Sequence, residues 1–243
     1  MPPGAAPPAA PGGDGPEPRP LPRSGRPPVI QARGLRLALD GRTIVDVPEL
    51  EVRQGEVLGI MGPNGAGKST LLRLLALLQR PTAGEVRIDG RRPRTRAEVL
   101  AARRLMAMVF QEPLLLSGTV YFNVALGLRL RGLPEAAVRS RAPDWIERLG
   151  LGPLARRNVR TLSAGEAQRA ALARAFALQP RVLFLDEPFA ALDSPTRAAL
   201  AGELQAILAA TGTTAVFVGH DPVEVRRVSH RVVEMEGGRL RGD

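Results

Sequence analysis

The stretch Gly62-Pro63-Asn64-Gly65-Ala66-Gly67-Lys68-Ser69-Thr70 sets an amine and two hydroxyls behind a run of small residues. It fits the spacing G-x-x-x-x-G-K-[ST], whose chemistry is the cradling of phosphate groups. Gly62, Gly65 and Gly67 let the backbone turn tightly enough for its N–H groups to converge on one concavity. A helix starting at the end of such a turn adds its partial positive charge there. Lys68 adds a full charge beside the outer phosphates. Ser69, followed by Thr70, offers a hard oxygen to a magnesium ion held against the same phosphates. A second set of polar residues lies farther along: Gln111, the pair Asp186-Glu187, and His220. Asp186 is the natural partner of Ser69 at magnesium, through a bound water. Glu187 is placed to take a proton from an attacking water or to hold that water in line. His220 would link the terminal phosphate to Glu187, and Gln111 would touch both the metal and a neighbouring surface. Charge neutralisation, a positioned nucleophile and a metal are what phosphoryl transfer to water requires.

These residues need elements to position them. Val57–Met61 is short, apolar and partly β-branched, which reads as a buried strand, and the leucines of 71–78 suit a helix with a broad buried face. Residues 29–53 alternate apolar and polar positions around Asp40-Gly41, as antiparallel strands do. Residues 84–90 read as a strand running into a turn, the second half of 91–104 as a helix, and 106–110 as a core strand. From about 112 to 165 the spacing becomes helical, with breaks expected at Pro134, Pro143 and Pro153, and we read a small helical subdomain inserted between strands. Ser163 followed by Glu166 is a capping box that starts a helix running to about Leu178. Residues 181–188 form an apolar strand that delivers Asp186 and Glu187 at its end. Helix 196–210, strand 213–218 with His220 after it, and a last hairpin turning at Gly237-Gly238 complete the chain. Alternating strands and helices imply a mainly parallel sheet covered on both faces, with ligands at the C-terminal strand ends. Lys68, Gln111, Asp186, Glu187 and His220 all follow expected strands, so one site can collect them.

Composition narrows the classes. The 243 residues allow a sizeable core, and 44% are hydrophobic. Aromatics are only 3%, so stacking platforms for nucleic acid are scarce. With no cysteine, disulfides and thiolate metal sites are excluded. The net charge is +10, and Lys68 is the single lysine among 34 basic residues, the rest being arginine. The excess charge suits either a nucleic-acid surface or an arginine-rich face beside anionic lipid. No apolar run reaches the roughly 18 to 20 residues that span a bilayer. A secretory leader is not evident either, so a cytoplasmic location is expected. Residues 1–28 hold eleven of the 23 prolines and read as a disordered extension ahead of a domain over 29–243.

Gly62–Ser69, Gln111, Leu162-Ser163-Ala164-Gly165-Glu166, Leu185-Asp186-Glu187-Pro188, Ala191-Leu192-Asp193 and His220 together resemble the motif series of an ABC-transporter ATPase. The resemblance covers residues 29–243. It implies a P-loop NTPase of the ABC type, an α/β domain with an antiparallel β subdomain and a helical subdomain, binding ATP with Mg2+. It also implies that two subunits dimerise head to tail, each presenting Ser163-Ala164-Gly165-Glu166 to ATP on its partner, while Asp193 joins the two sites. The free N–H groups at a capped helix start suit a terminal phosphate. The sequence departs from the usual pattern at Ala164 and Glu166, where Gly and Gln are common, and Gly219 precedes the histidine where Thr or Ser is usual. Where the family often stacks adenine on an aromatic residue, this chain has Leu37-Ala38-Leu39, giving an apolar base contact.

The chain carries no fused membrane domain and ends soon after its last strand, as a separate importer subunit would. The expected partners are a transmembrane permease and a solute-binding protein, with the ATPase held on the inner face of the membrane. Gln111–Leu116 and Gly118–Ala125 are similar to oxyanion importers of the tungstate and phosphate type. A soluble ABC ATPase acting on nucleic acid is the alternative from another class, and a non-import membrane complex is a third. One compact core, few aromatics and no zinc-binding cysteines weigh against nucleic acid.

Overall fold

The computed structural model describes residues 26–241. The proline-rich extension expected over residues 1–28 lies outside the described residues up to position 25, and Pro28 already opens the first strand. Strands β1 (Pro28–Leu39) and β2 (Arg42–Arg53) pair antiparallel. Asp40 and Gly41, both at positive φ, make the two-residue turn between them, as a tight hairpin demands. Strand β3 (Val57–Met61) leads into helix α1 (Lys68–Leu75), and β4 (Ala83–Ile88) returns to pair with β1. A three-stranded antiparallel sheet in the order β2-β1-β4 results.

The second sheet has six strands. Helix α2 (Arg96–Arg104) precedes β5 (Met106–Val109), and helices α3 (Val120–Leu130), α4 (Glu135–Arg148) and α5 (Ala164–Ala177) separate β5 from β6 (Val182–Asp186). Short 3-10 turns at Gly152–Leu154 and Val159–Thr161 connect α4 to α5. Helix α6 (Ser194–Thr211), β7 (Thr214–Val218), α7 (Pro222–Val228), β8 (Arg231–Glu236) and β9 (Arg239–Arg241) follow. The order is β5-β6-β7-β3-β8-β9, with only β9 antiparallel to its neighbour.

Successive residues of the central strands feed two cores, because side chains alternate across a sheet. Val182 and Phe184 of β6 join Val216 and Val218 of β7 on the face covered by α1 and the antiparallel sheet. Leu183 and Leu185 join Ala215 and Phe217 on the face covered by α3, α4, α5, α6 and α7. Helix α1 buries Leu71, Leu72, Leu74 and Leu75 in the first of these cores. Trp145 of α4 stacks on Phe176 of α5 in the second, with ring centroids 5.0 Å apart.

Two sequence expectations need correction. Helix α7 was not anticipated; it starts directly after His220, where Asp221 accepts a hydrogen bond from the Val223 N–H. Pro143, expected to break the chain, lies inside α4 instead, whereas Pro134 caps that helix and Pro153 sits in a 3-10 turn. An interior proline costs a helix about 3 kcal/mol. Here α4 carries on because Val138, Ala142, Trp145 and Ile146 form one buried face packed on α3 and α5. Replacing Pro143 by alanine restores an N–H within reach of the Arg139 carbonyl and should raise the unfolding free energy by about 1–3 kcal/mol. A higher urea midpoint with an unchanged slope is the expected reading.

Candidate nucleotide-binding and hydrolysis site

The glycine-rich turn joins β3 to α1 and is pinned by backbone on two sides. At Gly62, with φ 150°, an added Cβ would stand 2.0 Å from the Met235 carbonyl oxygen at the end of β8. At Gly67, with φ 100°, it would stand 2.6 Å from the Ile44 carbonyl of β2. The Gly238 N–H donates to Ala66 O at 3.0 Å, closing the third side. No side chain caps α1, whose N-cap is Gly67, whereas Thr95, Thr119, Ser163, Asp193 and Asp221 cap α2, α3, α5, α6 and α7. The first N–H groups of α1 are thereby left to an anionic ligand.

Lys68 is buried, and its Nζ donates to Gly62 O at 2.8 Å and Pro63 O at 3.1 Å. The same nitrogen lies 3.7 Å from Glu187 Oε1. Ser69 Oγ donates to Asp186 Oδ1 at 2.7 Å. Burial pushes the Asp186 carboxyl up, and the Ser69 hydrogen bond opposes that rise. Glu187 follows at φ 45°, its N–H tied to Val218 O at 3.0 Å, and His220 Nδ1 stands 3.4 Å from its Oε2. A cavity of about 590 Å3 opens here, lined by Gly62, Pro63, Asn64, Gln111, Glu187 and His220. The other histidine, His230, is structural: its Nδ1 accepts from the Val57 N–H.

The adjacent oxygens of Ser69 and Asp186 are hard donors of the kind Mg2+ takes. Among the described residues no group of three or more acidic, histidine or cysteine side chains could hold a metal alone. Such a pair therefore suits a cation that draws its other ligands from phosphates and water.

Ser163, Ala164, Gly165, Glu166 and Asp193 do not line this cavity. They form a group of their own. The Ser163 N–H donates to Glu166 Oε2 at 2.7 Å, and the Glu166 N–H returns to Ser163 Oγ at 3.3 Å. The first of these bonds holds the Glu166 carboxyl below its ordinary range. Asp193 accepts from the Thr196 N–H and hydroxyl, which hold its carboxyl low as well. An added Cβ on Gly165 would meet Thr196 Cγ2 at 2.9 Å, so the Ser163 turn and the Asp193 turn abut. Of the three residues expected to offer the base an apolar contact, Leu37 is buried in the core while Leu39 is half exposed at the hairpin end.

The family profile described as ABC transporter matches residues 45–190, more than half of the chain. This chain belongs to the ABC transporter family. The ABC domain is 40% identical over 215 residues to the Fe(3+) ions import ATP-binding protein FbpC of Streptomyces coelicolor, covering 88% of this chain and 61% of that protein. It is 37% identical over 217 residues to the spermidine/putrescine import ATP-binding protein PotA of Escherichia coli K12, covering 89% and 57%. The chain thus spans about three fifths of the length of these curated relatives. Among solved structures, CbiO1 of Clostridium perfringens, part of the ABC transporter complex CbiONQ, superposes with a TM-score of 0.82 at 29% identity, covering 88% of this chain and 87% of that one. The ATP-binding cassette MJ0796, in a dimeric post-hydrolysis state bound to ADP and Pi, gives 0.79 at 30% identity, covering 88% and 97%. The fold is that of the ABC-type P-loop NTPase.

Sequence reasoning missed three residues of this ABC domain. Glu234 of β8 lines the cavity and looked like any alternating strand position. Arg197 and Glu224 face each other behind the site. The crowding at Gly62 sets a direct test. Gly62→Ala should weaken nucleotide binding more than about tenfold, because the new Cβ must displace either the turn or the Met235 carbonyl. Titration with a fluorescent ATP analogue reads it.

Proposed function

We propose that this chain is the ATP-hydrolysing subunit of an importer, forming a head-to-tail dimer around ATP and energising a separate transmembrane permease. The observation that carries the reading is Glu187, held at the end of β6 between Lys68 at 3.7 Å and His220 at 3.4 Å in the cavity beside the phosphate turn. The domain is taken as residues 29–243, with its helical subdomain at about 112–165.

Each residue then has a physical task. The N–H groups of the glycine-rich turn and the start of α1 bind the phosphate oxygens, and Lys68 neutralises their charge. Magnesium, held at Ser69 and Asp186 with Gln111 beside it, would supply further charge neutralisation. Water attacks the terminal phosphorus as its bond to the ADP oxygen breaks, and Glu187 holds that water and takes its proton. His220 contacts the terminal phosphate and keeps Glu187 oriented. The partner's Ser163 turn, with free N–H groups at the start of α5, closes over the same phosphate, and Asp193 joins the two sites.

Support for import comes from relatives named for import of ferric ion and of polyamines. Among the described residues no helix is long and apolar enough to cross a membrane. The cargo proposed is an oxyanion such as tungstate, on the character of residues 111–125, with a solute-binding protein delivering it. The subunit would work on the inner face of the membrane against that permease, and exposed Leu114 and Leu116 beyond Gln111 offer apolar surface to it.

Two variants test the chemistry. Glu187→Gln should bind ATP and remain dimeric while turnover falls at least about a hundredfold; hydrolysis at the unmodified rate sinks Glu187's role. Lys68→Ala should lose nucleotide binding in a fluorescence titration, and unchanged affinity contradicts the phosphate turn. Recovery of tagged Glu187→Gln protein with MgATP from membranes of its own organism, followed by mass spectrometry, tests the partner. A co-purifying multi-span protein is expected, and exclusively soluble partners or nucleic acid overturn the permease.

A further inference from the structure

Behind the site, two charged side chains tie together elements that the proposed chemistry treats separately. Arg197, in the first turns of α6, lies with its Nε 3.3 Å from Oε1 of Glu224 at the start of α7. Both groups are largely withdrawn from solvent, at 25% and 13% side-chain exposure. The N–H is not aimed at the oxygen, so neither atom makes a hydrogen bond. Arg197 Nη2 donates instead to Leu192 O at 2.8 Å, the carbonyl directly before Asp193. Glu224 lies in the first turn of α7, the helix that Asp221, next to His220, caps through the Val223 N–H.

We propose that Arg197 and Glu224 are positioning residues, a strut that sets His220 according to the conformation of the Ser163 and Asp193 turns. The proposal rests on the reading of the protein as an ATP-hydrolysing dimer. In that dimer the Ser163 turn of one subunit meets ATP bound to the other, so a link from this turn to His220 joins the two sites.

The contacts on either side of the pair are continuous. Gly165 abuts Thr196, and Arg169 of α5 makes a paired ion contact with Glu203 of α6, so α5 and α6 are tied at two points. Arg227 of α7 reaches the Ala198 carbonyl of α6 at 3.4 Å, and its guanidinium fills the space beside Gly202. A pair serving only to hold α6 on α7 could be apolar, since burying two charges seldom adds stability and their best-attested use is to fix register. Here the fork of Arg197 fixes the loop before Asp193 to the helix that follows His220.

The test uses purified protein with MgATP and compares Arg197→Gln, Glu224→Gln, their double variant, Arg197→Lys and Glu224→Asp. Each glutamine variant should lower kcat by about tenfold or more while KM changes less than about threefold. The double variant should be no slower than the slower single one, because the two residues act as a unit. Arg197→Lys should recover part of the rate. Glu224→Asp, which keeps the charge but withdraws it by one methylene, should lose kcat as the glutamine variant does, so the test survives if that variant fails to fold. With only two histidines in the chain, ring resonances offer a second reading: His220 should move in each variant while His230 stays. Losses that multiply in the double variant, a lowered melting temperature with unchanged kcat, or an unmoved His220 resonance overturn the strut. Unmodified protein that hydrolyses no ATP overturns the dimeric ATPase and the strut together; active protein with indifferent variants overturns the strut alone.

Discussion

Everything near the phosphate turn depends on main chain approaching main chain more closely than any side chain permits. Gly62 lies against the Met235 carbonyl and Gly67 against that of Ile44, so β3, β8 and β2 converge on a nine-residue turn. The antiparallel sheet is therefore part of the site's construction, because β2 supplies one of the walls. Helix α1 completes the arrangement by having no capping side chain, which leaves its electropositive end available.

Parallel pairing then brings the remaining chemistry to one level. Ile60 of β3 and Asp186 of β6 both register with Val218 of β7. The Glu187 N–H reaches Val218 O and the Gly219 N–H reaches Ile60 O. Three strands consequently end side by side, and Gly62, Glu187 and His220 emerge from adjacent ends. The apolar alternation along those strands, divided between two cores, keeps this level fixed, since a shift of one residue would turn every side chain to the wrong face.

What was legible in the sequence was whatever repeats locally. The phosphate turn, the Ser163–Glu166 capping box and the apolar run ending in Asp186-Glu187 each declare themselves within ten residues. The lone lysine also has a physical reason. A compact ammonium fits between the Gly62 and Pro63 carbonyls, where a planar guanidinium has too rigid a fork. What was not legible depends on partners far along the chain. Pro143 signals a break by local chemistry, and only the buried face of α4 overrules it. Arg197 and Glu224 are 27 residues apart and find each other through the packing of α6 on α7, which no short pattern encodes. Glu234 enters the cavity because β8 runs beside β3, a pairing set by the order of the whole sheet.

Glu187 carries one more consequence. Its φ of 45° places a residue with a β-carbon in left-handed backbone, a conformation that costs on the order of 1 kcal/mol and that glycine adopts freely. A glycine there would relax the chain and abolish the carboxylate. Under the hydrolytic role proposed for Glu187, selection for heat resistance alone would thus favour, at this position, a sturdier protein without its reaction.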